Sequence, residues 1–222
     1  MEIAPELRST FPGLRVVELR LGDLNVMDTK PELESFKHEV QGEIRRRTAS
    51  LEVVKDLPIF RAYRDFFWRV GIDPTKVRPA GEALTRKILG GRDLPKINTL
   101  VDTYNLASVK TSIAIAAFDF KKVKESALVM RRATSGELFH GIGMSTPDSL
   151  TGVEVVIEDL STGGLIAVYP YRDSDDTKVT EYTKDVLFMM CGVPGIEDEV
   201  LESAGRLTRE YVTRFCSSRQ NP

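Results

Sequence analysis

The stretch LPKINTLVDTYNLASVKTSIAIAAFD, Leu94 to Asp119, decides how the rest of the chain is read. From Asn98 to Ala107 the spacing predicts a helix. Asn98, Asp102 and Asn105 fall at i, i+4 and i+7 and share one face, while Leu100, Val101 and Tyr104 share another. A face with two amides and a carboxylate can hydrogen-bond a small polar ligand, such as an α-amino group or a ribose hydroxyl. The same side chains can instead tie the helix to neighbouring backbone. Thr111 to Phe118 (TSIAIAAF) reads as a buried strand of small and β-branched residues. Its small side chains leave room for a ligand or for a packed helix.

Upstream, Leu14 to Leu21 alternates as a strand and stops at Gly22-Asp23. Thr29-Lys30-Pro31-Glu32 has the spacing of a capping box, and Leu33, Phe36, Val40 and Ile44 continue it as a helix closed by Arg45, Arg46 and Arg47. Those arginines fit either a phosphate contact or the C-terminal end of the helix dipole. Pro58 to Val70 is a second helix whose aromatic cluster (Phe60, Tyr63, Phe66, Phe67, Trp68) fits core packing better than base stacking. A loop over Ile72 to Val77 and a short helix over Gly81 to Leu89 lead into the central stretch.

Downstream, strands are expected at Ser126–Arg132, within Thr134–Gly143 around His140, at Val153–Asp159 and at Leu165–Pro170, the last two joined by a hairpin at Gly163-Gly164. Val186 to Met190 fits a strand or a short helix. Ile196 to Phe215 is an amphipathic helix, and Ser217 to Pro222 should fray. In the loop YPYRDSDDTKVTEYT, Tyr169 to Thr183, Arg172 can pair with a carboxylate or phosphate and Asp173 can act as a base. Thr180 and Thr183 can hold a water. Asp175 and Asp176 read as part of an exposed acidic turn.

Charge bounds the partners. With 31 basic against 33 acidic residues, a long nucleic-acid track is not expected, which leaves a small nucleic-acid contact or no RNA at all. Cys191 and Cys216 are too few for a disulfide framework, and neither they nor His38 and His140 have metal-ligand spacing, so neither metal nor cofactor is expected. With no apolar run long enough for a bilayer and a charged start, the chain reads as cytoplasmic, with no membrane partner.

The central stretch resembles a segment of the B3/B4 domain of the phenylalanyl-tRNA synthetase β subunit. That pattern runs approximately I-N-N-x-V-D-x-x-N-Y and ends, a dozen residues on, in H-A-F-D. Ile97, Asn98, Val101, Asp102 and Asn105 match its front, and Ala117, Phe118 and Asp119 its end. Solo B3/B4 proteins carry a Tyr-Arg-Asp-Ser loop similar to Tyr171–Ser174, and the likeness extends from about Leu84 to Val193. The resemblance implies an α+β fold: an antiparallel, partly barrel-like sheet with packed helices, as one domain over 1–222 (1–90 a largely helical lead-in, 91–222 the core). It places Asn105 near the editing pocket. It also implies a free-standing relative of the domain that borders the synthetase's tyrosine-editing site, without an aminoacylation module.

Two departures bear on activity. Ala116 stands where that family has His, and Met189 falls on its pocket Glu when Thr183, Val186 and Leu187 are aligned. Both replacements are apolar, so a site specific for the tyrosine hydroxyl is not carried over. A smaller or more apolar amino acid is then the conceivable substrate. Three readings follow. In the first, the chain deacylates aminoacyl-tRNA in trans: Asn98, Asp102 and Asn105 hold the aminoacyl-adenosine end, Asp173, Thr180 or Thr183 positions water, and Arg172 lies near the phosphates. In the second it is a non-catalytic module binding a tRNA 3′ end, an amino acid or a protein. In the third it is an unrelated hydrolase on the same fold.

Overall fold

The computed structural model describes residues 1–218. In chain order the elements are β1 (Glu2–Ile3), α1 (Pro5–Thr10), β2 (Arg15–Leu21), α2 (Pro31–Arg47), α3 (Pro58–Arg69), α4 (Ala80–Leu89), α5 (Thr99–Thr111), β3 (Ala114–Asp119), β4 (Leu128–Arg132), β5 (Leu138–Phe139), β6 (Asp148–Ser149), β7 (Val155–Asp159), β8 (Gly164–Val168), β9 (Arg172–Asp173), β10 (Val186–Gly192) and α6 (Asp198–Cys216). The fold is α+β. Two sheets carry it, a three-stranded one ordered β2-β10-β3 and a five-stranded one ordered β1-β4-β7-β8-β9; β5 and β6 form a small hairpin. The pairing is not wholly antiparallel as expected, because β1 runs parallel to β4. The N-terminal lead-in also contributes more than helices, since β1 and β2 complete the two sheets.

β10 explains its own ambiguous sequence. It is the middle strand of its sheet, antiparallel to both β2 and β3, and all seven of its residues are buried. A strand covered on both faces loses the apolar–polar alternation that would distinguish it from a helix. One face meets the helices: the Phe188 ring lies 6.0 Å from that of Tyr104 on α5. The other face meets the larger sheet, where the Tyr169 hydroxyl reaches the carbonyls of Arg15 and Gly192 at 3.0 and 2.9 Å.

α5 runs longer than its apolar pattern indicates, through Thr111, and Ser112 then turns left-handed at φ 65°. The strand expected from Thr111 therefore begins only at Ala114. Thr103 and Thr111 satisfy their hydroxyls inside the helix by donating back to the carbonyls of Thr99 and Ala107. The Thr29 capping box does not form. α2 starts at Pro31 with Lys30 as its cap residue, one position late for Glu32, and the Thr29 hydroxyl bonds Glu34 at 3.1 Å. The arginines at the end of α2 serve neighbouring helices rather than their own: Arg45 donates to Ile88 of α4, and Arg47 to Val109 and Lys110 of α5. His140 lies just past β5, its Nε2 3.0 Å from the Met144 carbonyl oxygen. Of the expected frayed end, Ser217 bridges to Leu24 and Ser218 N–H bonds Asp23; residues 219–222 lie outside the described residues.

α3 packs its aromatics inward, with Phe60, Tyr63, Phe66 and Phe67 buried and Trp68 alone exposed. Tyr63 reaches furthest. Its hydroxyl donates to the Cys191 carbonyl at 2.5 Å and accepts from Ala114 N–H at 3.0 Å, joining α3 to β10 and β3. Tyr63→Phe should cost about 1–3 kcal/mol, because a buried N–H is left without its acceptor. Urea denaturation reads this as a lower midpoint at unchanged slope. A shift below about 0.5 kcal/mol would mean that Ala114 N–H finds another acceptor.

Candidate functional site

β3 is an edge strand, so alternate backbone N–H groups point away from β10. The segment after β8 covers that edge. Asp119 N–H donates to the Thr177 carbonyl at 2.9 Å, and Ala117 N–H donates to Asp173 Oδ2 at 3.4 Å. Ile115 lies two residues further back, and its N–H points the same way by the strand's period of two. Beside it opens a cavity of about 110 Å³, lined by both sheets and by Ala80 of α4: Ala114, Ile115, Ala116 and Cys191 on one side, Ile157, Ala167, Val168 and the run Tyr169 to Asp173 on the other.

Asp173 supplies the chemistry. It is half-buried and has no ion-pair partner among the described residues. Loss of water pushes its carboxyl up to about 7, against a smaller downward pull from Ala117 N–H. Burial, reinforced by the nearby Asp173 charge, raises the pKa of the Cys191 thiol and of the Tyr104 hydroxyl as well. Cys191 is therefore a neutral thiol rather than a ready nucleophile. The Arg172 guanidinium donates to the Ile142 carbonyl at 3.2 Å and lies 5.0 Å from the Tyr171 ring centroid.

The remaining sequence candidates lie elsewhere. Asn98 caps α5, its side chain accepting Val101 N–H at 2.9 Å. Asp102 is almost fully buried, with Oδ1 accepting Ile97 N–H at 3.0 Å and Oδ2 meeting Lys37 Nζ at 2.7 Å. Lys37 also reaches Glu34 and the Pro95 carbonyl, so this cluster ties α2, α5 and the preceding loop together. Asn105 is half-buried and makes no side-chain hydrogen bond among the described residues, but it does not line the cavity. Thr183 donates to Asp119 Oδ2 at 2.8 Å and accepts Thr180 N–H at 2.9 Å, while the Thr180 hydroxyl accepts Tyr182 N–H at 3.3 Å. Thr183 ties the loop to the end of β3, while the bonds of Thr180 stay within the loop. Of the seven candidates, the cavity brings together only Arg172 and Asp173.

Sequence reasoning missed the aliphatic wall from β7 and β8, the place of Tyr169 and Tyr171 beside it, and Cys191 in the lining. The small residues of β3 were the one signal available for the cavity. The two departures from the synthetase pattern stand opposite each other, since Ala116 and Met189 are cross-strand partners. Across β9 lies a wider cleft of about 470 Å³, lined by residues including Lys122, His140, Ser174, Asp176 and Thr177. Thr177 Oγ1 there is buried with no hydrogen-bond partner among the described residues. No group of three metal-ligating side chains comes together among the described residues. No helix among them is long and apolar enough to cross a membrane.

Among curated protein sequences none matches this chain. The structure is similar to that of an N-terminal fragment of the phenylalanyl-tRNA synthetase β subunit from Pyrococcus horikoshii, with a TM-score of 0.50 at 14% identity. The match covers 96% of this chain and 48% of that one, so the chain spans about half the length of the fragment. At that identity the likeness speaks for the fold alone. The sequence profile of the B3/4 domain matches residues 62–215, well over half of the chain, and the chain therefore belongs to the B3/4 domain family.

Proposed function

We propose that this protein binds the aminoacylated 3′ end of a tRNA and hydrolyses the ester, acting on aminoacyl-tRNA charged elsewhere. The observation that carries this reading is Asp173, a desolvated carboxyl without a cationic partner among the described residues, titrating near neutrality at a cavity. Such a group is suited to general-base work at physiological pH. Asp173 takes a proton from a water, whose oxygen attacks the ester carbonyl. Ile115 N–H, pointing off the same strand edge, donates to the oxyanion that forms. The bond to the ribose oxygen then breaks and that oxygen takes up a proton, giving free amino acid and tRNA with its terminal hydroxyl. The cleft beyond β9 has the size of a nucleoside site.

A second reading, a module that binds the same end or an amino acid or protein without turnover, is favoured by the apolar pair Ala116 and Met189. Purified protein incubated with a panel of correctly and wrongly charged aminoacyl-tRNAs separates the two. Hydrolysis of particular esters, lost in Asp173→Asn, supports the deacylase. Binding of the panel without turnover by folded protein leaves the non-catalytic module.

A further inference from the structure

The size and rigidity of the cavity narrow what it can take. Its volume of about 110 Å³ is smaller than the roughly 150 Å³ of an apolar cavity known to accept benzene. A phenyl or phenol side chain therefore does not fit unless the walls move. The space exists because Ala80, Ala114, Ala116 and Ala167 carry single methyl groups, while Ile157 and Tyr169 are larger and buried.

Tyr169 is held at its hydroxyl by two carbonyls and at its ring by Phe66, whose centroid lies 6.2 Å away edge to face. Ile157 is fully buried. Met189, on the same face as its cross-strand partner Ala116, has no exposed surface. Close-packed walls of this kind transmit strain rather than yield to a larger guest.

We infer that the cavity accepts the aminoacyl groups of glycine, alanine and serine and excludes those of phenylalanine and tyrosine. This rests on the reading of the cavity as the aminoacyl site. The choice is made by exclusion at a wall rather than by a hydrogen bond to a substrate hydroxyl.

Two measurements on the full chain test it. Hydrolysis of alanyl-, seryl-, phenylalanyl- and tyrosyl-tRNA is compared by kcat/KM. Binding of the corresponding 3′-amide aminoacyl-adenosines, which cannot be hydrolysed, is compared by calorimetry. The small esters should exceed the aromatic ones by about 100-fold or more in kcat/KM, and the alanyl amide should bind more tightly than the tyrosyl amide. Hydrolysis of aromatic esters at equal or greater rate overturns the inference. If no ester turns over, the hydrolase reading fails while the size rule is still decided by the amides: tighter alanyl binding sustains it, and tighter tyrosyl binding or none at all overturns it. Ala116→Val, checked for a normal thermal transition, should weaken alanyl-amide binding at least tenfold, and unchanged binding would put the site elsewhere and overturn the assignment. Should that variant not fold, the wild-type comparison alone decides.

Discussion

Asp102→Ala should destabilise the protein by about 3–5 kcal/mol, the range expected when one partner of a buried ion pair is removed. The Asp102 and Lys37 side chains retain only 1% and 4% of their surface in contact with solvent. Burial raises the Asp102 pKa, while Lys37 and Ile97 N–H pull it back. Without the carboxylate, Lys37 keeps Glu34 and the Pro95 carbonyl but loses its buried counter-ion, and Ile97 N–H loses its acceptor. Urea unfolding checks the magnitude. A paired change of Lys37→Met with Asp102→Leu should recover much of the loss, because apolar replacement removes both desolvated charges together. Full stability in Asp102→Ala together with abolished turnover would assign the residue to the substrate instead of the scaffold.

Asp173→Asn should act in opposite directions on activity and stability. As the general base, its loss should lower kcat/KM for a hydrolysed ester by about 10²–10⁴-fold. In the wild type kcat/KM should rise as pH increases through about 7, where the carboxyl loses its proton, and the variant should lack that limb. For stability, the unfolded chain releases this proton near pH 3.9, about three units below the folded protein. Between those values the folded state binds more protons, so wild-type stability falls as pH rises across the window. Asparagine imitates the neutral acid and escapes the fall. The variant should therefore be more stable than wild type at pH 8, on the order of 2 kcal/mol after allowing for the residue's partial contact with water, and the gain should vanish toward pH 4. Thermal melts of both proteins across this range check it. A variant that is less stable at pH 8 would make Asp173 a structural tie to Ala117 rather than a strained functional carboxyl.

α2, α3 and α4 were legible because each carries an apolar stripe with a Pro at its start or a Gly at its end. Where burial is two-sided the pattern fades. α5 is enclosed by α2, α4, α6 and β3, and β10 lies between two strands and two layers, so the α5–β3 boundary and the type of β10 had to come from the structure. Within the site, Arg172 and Asp173 could be read from a polar dipeptide beside an aromatic strand end. Thr180 and Thr183 could not be separated from them by composition. A threonine that holds water and one that bonds Asp119 look alike until chain segments far apart in sequence are brought together. Asn98 and Asp102 show the same limit: Asn98 precedes the helix as its cap, and Asp102 meets a lysine rather than the cavity.

The sheet edge at β3 has a consequence for how a ligand could be received. The chain from β9 onward stands where a fourth strand would lie: Asp173 meets Ala117, Thr177 meets Asp119, Lys178 bridges to Phe118, and Thr183 returns to Asp119. A segment stitched at so many points cannot swing aside as a lid without unzipping the margin of the sheet. Entry is therefore to a finished lock, in which shape is judged at once and little ordering remains to be done after contact. The same stitching closes the strand to any foreign β-strand that might add itself there. A ligand received at the cavity would thus depend on the same short run of residues that guards the sheet edge, and a change made for either duty would be felt by the other.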